Sequence, residues 1–345
     1  MLGWVLGILL LSLLPLSEGR CADAPVPLAS EAARPDAASG PTPVSVGIWV
    51  ADVSRIDSAE QTFSANLVVV MSWHDSSLAH TQAGIRQYNL RDIWHPKWLV
   101  ANATEHVQSS FPEIADVAGD GTVTYRQRLV GIFTQRLDLR AFPFDHATFH
   151  LDFVMIGQRP AEMEFLPNAA LVAQGFPTGA GIARDLTLQD WRVTDPKAFS
   201  LPYQVAPGFQ IAGYALEFRA ERLVQHYVVG VIIPLLLIVF MSWAAFWIDP
   251  TLRGSQISIA VTSMLTLIAY RFAVGSETPR LPYLTSLDRF ILASSILVLL
   301  TLIEVIVAVS LVSRQRPDLA RRIDRYSRLG FPIAYALVAV VTLFG

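Results

Sequence analysis

SIAVTSMLTLIAYRF, residues 258–272, is an apolar run that carries one narrow line of hydroxyl and small side chains. At 100° per residue, Ser258, Thr262, Leu265, Ala269, Phe272 and Ser276 fall at about 0, 40, −20, 20, −40 and 0°, a single stripe along a helix. The other faces carry Ile257, Ile259, Val261, Met264, Leu267 and Ile268. Inside a bilayer such a stripe has two readings: small residues let helices pack closely, or they line water. The surrounding chain has to decide between them.

Of 345 residues, 52% are hydrophobic and only 16% charged, yet the first two thirds have the texture of a soluble domain, so the apolar excess is segregated. A net charge of −3, without a basic patch interleaved with aromatics, gives no reason to expect a nucleic-acid partner. Cys21 is the single cysteine, which excludes an intrachain disulfide framework and any Cys-based metal knuckle. No nucleophile elbow, phosphate loop or paired catalytic carboxylates occur, so neither an enzyme nor a cofactor is expected.

Residues 2–16 form an apolar run too short for a comfortable membrane span, followed by Ser17 and Gly19. The run reads as a signal peptide over 1–19, with Ala22-Asp23-Ala24 as a rival cleavage site and an uncleaved anchor helix as the other reading. Residues 20–43, rich in Ala, Pro and Ser without apolar periodicity, read as a disordered lead-in. Over 44–222 short runs alternate with period 2, as in 66–73, 122–133 and 148–154, and Asp120-Gly121 ahead of TVTYRQRL predicts a hairpin turn. This texture predicts an all-β sandwich.

After Arg222 the alternation stops and four apolar segments follow, at about 227–248, 258–272 with its flanks, 290–312 and 329–344, which makes 223–345 a four-helix transmembrane domain. Pro234 predicts a kink in the first, and Trp243 and Trp247 mark one interface. The segment 313–328, read as a loop, carries Arg314, Arg316, Arg321, Arg322, Arg325 and Arg328, and the first loop carries Arg253. Positive loops belong in the cytoplasm, so the β domain and the C-terminus are expected outside, in agreement with an export signal.

LDLRAFPFD at 137–145, together with Trp73-His74-Asp75, Trp94-His95-Pro96, Ile233-Pro234 and Pro279-Arg280-Leu281-Pro282-Tyr283, resembles the pentameric ligand-gated ion channels, the family of nicotinic, glycine and GABA receptors, over residues 44–345. Animal members close the 137–145 loop with two cysteines; here Gln135 and Phe149 stand at those positions, as in the bacterial members. The resemblance implies a homopentamer in a bacterial inner membrane, with a small-molecule agonist bound outside and inorganic ions passing through the bilayer. Each stripe residue then becomes a ring. Ser258 and Thr262 replace part of an ion's hydration, and Leu265 and Phe272 form apolar constrictions that gate by dewetting.

By the same resemblance Asp145 and Arg222 pair at the domain junction, with Asp57 or Glu60 as a third member and Phe142, Pro143, Pro279 and Pro282 in the coupling path; the bland alternative is a solvated surface pair. Trp73, Trp94, Phe199, Tyr203 and Phe209 stand near the family's aromatic box, although its Trp-rich second loop is missing around 155–159. His146, His150 and Asp152 share a strand face, which reads as solvent-facing rather than as a metal site. Glu304, inside the third span, is expected to face protein or a polar partner, and Arg271 lies about 140° behind the stripe. At the inner mouth Gly254-Ser255-Gln256 matches neither the cation nor the anion pattern of the family, and Arg253 and Glu277 are the selectivity candidates, Glu277 tilting the balance to cations. A membrane-tethered binding protein or sensor without a pore is the rival reading.

Overall fold

A computed structural model of the chain describes residues 33–35, 37–249, 251–275 and 281–344. The expected signal peptide lies outside them.

Strict alternation makes the first sheet. Thr62–His74 buries every second side chain from Phe63 to Trp73, and pairs on one side with Thr42–Asp57 and on the other with Thr122–Thr134, both antiparallel. Ile114–Val117 and Arg86–Asn89 extend this sheet at one edge, and Ala180–Ile182 and Met163–Pro167 add parallel to Thr42–Asp57. The second sheet runs Trp191–Ser200, Gly213–Arg222, His146–Met155, Trp98–Val100. Between the two, Phe63 from the first meets Phe149 and Phe218 from the second, with ring centroids 5.0 and 5.7 Å apart. Such aromatic contacts carry much of a sandwich core.

The lead-in is ordered further upstream than its composition suggests. The first strand begins at Thr42, and the Arg34 guanidinium donates to the Gly40 carbonyl (2.9 Å), the Thr42 hydroxyl (2.7 Å) and the Glu162 carbonyl (3.0 Å). One long side chain with several donors thus fastens a segment that has no apolar pattern of its own.

Among the described residues, four helices are long and apolar enough to cross a membrane. The first, Gln225–Trp247, opens into a π turn at Val228–Ile232 immediately before Pro234. Pro234 has no N–H for the preceding turn and its ring presses on that turn's carbonyls, so the wider turn relieves the clash. The Val231 carbonyl in this turn accepts from the Tyr270 hydroxyl of the second span (2.6 Å). The second span is Arg253–Gly275 and the third Ser286–Ser313, its start fixed by a capping box between Thr285 and Asp288.

The fourth span corrects the sequence reading. Its helix runs Pro317–Phe344, so most of the Arg-rich segment is helical rather than a loop. Pro317 and Asp318 suit a helix start, and Ala320 and Asp324, one turn apart, are both buried against the other spans. The arginines decorate the rest of an amphipathic first half, which hydropathy alone cannot separate from a loop.

The Asp120-Gly121 turn joins Ile114–Val117 to Thr122–Thr134 as expected. Gly121 has φ +88°, and a Cβ there would lie 2.5 Å from the Asp75 carbonyl oxygen. Gly121→Ala is therefore expected to lower stability by about 1–3 kcal/mol, and Gly84→Ala, equally left-handed but in open space, by less. Thermal melts of the two purified variants check this order.

Candidate functional site: the domain junction and the second span

The chain crosses from the sandwich to the membrane helices at Arg222, and that side chain is buried. Its Nε and Nη2 donate to the two carboxylate oxygens of Asp145 at 2.8 and 3.0 Å, with only 4% and 2% of the side chains exposed. The guanidinium carbon lies 4.1 Å from the ring centre of Trp191, 4.9 Å from Phe142 and 5.9 Å from Tyr227. Bidentate geometry with flanking rings is what guanidinium offers and ammonium does not. The solvated-pair reading fails on this burial.

The third member of the cluster is Ser58, whose hydroxyl oxygen accepts from Arg222 Nη2 at 2.9 Å. Asp57 and Glu60, the expected candidates, do not fill this place. Asp57 turns back to cap its own hairpin, accepting from the Ala59 and Glu60 N–H groups and pairing with Arg55. These bonds, that from the Glu60 N–H first, hold the Asp57 carboxyl below its usual range.

The 137–145 loop rests on the membrane helices. The Ser286 and Leu287 N–H groups, two of the unpaired donors in the first turn of the third span, donate to the Arg140 and Phe142 carbonyls at 2.9 and 3.1 Å. The Leu139 N–H donates to the Tyr283 hydroxyl (3.2 Å), and Phe142 packs edge-on against Tyr227 of the first span. Pro143 is buried, while Pro282 is exposed and leaves the contact to its neighbour Tyr283. Gln61 ties the first hairpin to the same loop, its side chain accepting from the Leu137 N–H at 2.6 Å. Where animal members carry the closing cysteines, Gln135 Oε1 accepts from the His150 N–H (3.0 Å) and Phe149 is a core ring.

On the second span, Gln256, Ala260, Ser263, Leu267 and Val274 are buried against the other helices. They lie at about 140–200° from Ser258, diametrically opposite the stripe. Ser258, Thr262, Leu265, Ala269 and Phe272 are all exposed in the single chain, Leu265 by 62% and Phe272 by 80%. Arg271 is exposed too. Arg253 opens the helix; Ser276, Glu277 and Pro279 lie outside the described residues.

Two members of the aromatic set are misplaced by the sequence reading. Trp73 and Trp94 meet edge-on at 5.8 Å inside the core, 2% and 7% exposed, because Trp73 falls on the buried phase of its strand. Phe199, Tyr203 and Phe209 are exposed on or beside the ribbon Tyr203–Ala206 and Phe209–Ile211. A cavity of about 700 Å³ opens there, lined by Arg159, Pro160, Gln204, Phe209 and Gln210. On the second sheet, His150 Nδ1 sits 3.1 Å from Glu217 of the adjacent strand.

Residues 30–172 match the neurotransmitter-gated ion-channel ligand binding domain, and residues 231–319 match the neurotransmitter-gated ion-channel transmembrane region. A protein of Gloeobacter violaceus described as a proton-gated ion channel is 28% identical over 324 residues, spanning 90% of this chain and 85% of that protein. The chain belongs to the neurotransmitter-gated ion-channel family, the pentameric ligand-gated channels. It is thus a multi-pass membrane protein of the ligand-gated ion-channel class, which is not a class of enzymes.

Removing one partner of the Arg222–Asp145 pair leaves a buried charge alone. Asp145→Ala is expected to cost about 3–5 kcal/mol, whereas a solvated pair would cost under about 1 kcal/mol. Unfolding of the detergent-solubilised variant separates the two.

Proposed function

We propose that five copies of the chain surround an axis and that the second span of each lines an ion-conducting pore. The observation that carries this reading is the opposition of two faces on one helix: a seam buried within the subunit, and an exposed line of hydroxyl and then apolar residues behind it. A helix that only faced lipid would need no Ser258 or Thr262 on its exposed side, which disfavours a pore-less tethered sensor. In this reading Leu265 is the gate, Phe272 a second apolar ring, and Ser258 and Thr262 the hydrated inner rings, with Ala269 and Ser276 completing the lining.

The agonist is a small molecule held between neighbouring subunits at the ribbon carrying Tyr203 and Phe209, beside Phe199. Its binding is transmitted through the junction of Phe142, Pro143, Asp145, Arg222 and Pro279, joined by Ser58 and Tyr283. Clustered arginines at the start of the fourth span support an orientation with the sandwich and the C-terminus outside, and the likeness to a bacterial channel supports a bacterial inner-membrane location. Glu277 next to Ser276 supports cation selectivity, since Arg253 lies a full turn before the stripe.

Planar-bilayer recording from the purified protein tests the channel reading, starting with pH steps because the Gloeobacter relative is described as proton-gated, then proceeding to small amines and acids. Silence under every stimulus would favour the tethered sensor. Leu265→Ser is expected to wet the constriction and leak at rest; wild-type resting conductance in that variant would move the gate elsewhere. Arg222→Lys keeps the charge but loses the fork and the ring contacts, so currents are expected to fall at least tenfold while the protein still folds. Dilution of external NaCl is expected to shift the reversal potential towards the sodium equilibrium value. A shift towards chloride would overturn the cation assignment and point to Arg253.

A further inference from the structure

Glu304 on the third span and Asp324 on the fourth bring two carboxyls together beside Gln256 of the second span. We propose that this junction is a proton-binding site in which Glu304 and Asp324 share one proton. Asp324 is 1% exposed and Gln256 fully buried. The Ser327 hydroxyl donates to Glu304 Oε1 (3.2 Å), and Gln256 Nε2 reaches Asp324 Oδ2 (3.4 Å) while donating to the Ile248 and Ala245 carbonyls at 2.9 and 3.2 Å. Three buried oxygens are left with no donor: Glu304 Oε2, Asp324 Oδ1 and Gln256 Oε1.

Ser327, three residues after Asp324 on the same helix, bonds Glu304, so the two acids flank one buried spot where each keeps an oxygen without a donor. Ionised carboxylates only accept, so without a proton this spot sets acceptor against acceptor in a buried place. One proton turns it into a donor and an acceptor and satisfies Glu304 Oε2 and Asp324 Oδ1 together. Gln256 cannot supply the missing donor by turning over, because its NH₂ is held by two backbone carbonyls. Its orphaned Oε1 marks the same spot as short of donors.

The surrounding charges do not replace the proton. Arg328 is the cation in range of Asp324, but its Nε donates to the Phe246 carbonyl (2.9 Å) and its guanidinium lies over Trp247. Arg321 faces Asp249 at 3.7 Å and Asp318 at 3.9 Å, and Asp249 adds negative charge near Asp324. Ser327 on the fourth span and Gln256 on the second are neutral. When the proton leaves, two like charges meet in buried surroundings and push the fourth span away from the third. Gln256 stands two residues before Ser258, so the same event acts on the start of the second span.

The site rests on packing inside one chain and does not depend on the pore reading. Infrared spectroscopy of the purified full-length protein in detergent tests it. The carbonyl band of a protonated, buried carboxylic acid is expected at neutral pH in the wild type and is expected to vanish on alkalinisation. Glu304→Gln and Asp324→Asn each leave an amide that donates to the remaining carboxylate, so both should fold, lose the band, and melt without the alkaline decline of the wild type. Absence of the band in the wild type, or its survival in both variants, would overturn the proposal.

Discussion

A guanidinium and a carboxylate that leave water together must recover their hydration from each other and from their walls, and in this chain the Arg222–Asp145 pair does so at the one place where strand turns into membrane helix. Two parallel hydrogen bonds, the Ser58 hydroxyl and the faces of Trp191, Phe142 and Tyr227 replace the lost solvent. The partners come from four places in the sequence: the first hairpin, the 137–145 loop, the last strands of the second sheet, and the first span. None of these can shift alone without exposing a charge to an apolar wall.

The neighbouring contacts obey a second constraint, that no buried backbone group goes unpaired. The third span begins beneath the sandwich, and its leading N–H groups are closed by Arg140 and Phe142 carbonyls instead of by water. In the first span Pro234 forces a wider turn, and the Val231 carbonyl within it takes the hydroxyl of Tyr270. Irregular backbone at membrane depth is tolerated because another helix satisfies it. The first and second spans are thereby tied at a point well away from the exposed stripe.

Much of this is legible in the sequence. Period-2 alternation over 66–73 falls inside the strand Thr62–His74, and the hydroxyl stripe of the second span is distinguishable because Ser and Thr interrupt an otherwise apolar helix. What escaped the sequence depends on partners distant along the chain. Trp73 looks the same whether its strand face points to a ligand or to Trp94, and only the pairing of two sheets decides. Charge pointed to Asp57 or Glu60 beside Arg222, yet the hairpin needed Asp57 for its own N–H groups and left the place to Ser58, a residue with no charge to notice. The Arg-rich first half of the fourth span hid its helical character because its apolar side is only a few residues wide. Glu304 was foreseeable as a residue in need of a partner, but nothing in the sequence named a second acid as that partner.

The base of the 137–145 loop is held by the Gln135 side chain on the His150 backbone and by the packing of Phe149, with no sulfur involved. Closure of that loop is therefore a reversible part of folding itself, complete when the strands dock, and it waits for no oxidant or thiol exchange. The junction that depends on the loop keeps its geometry at any redox potential, so a reductant that would open a cystine-closed relative leaves this one assembled. Its weak point is mechanical: the loop's base holds only as long as the sandwich core around Phe149 holds.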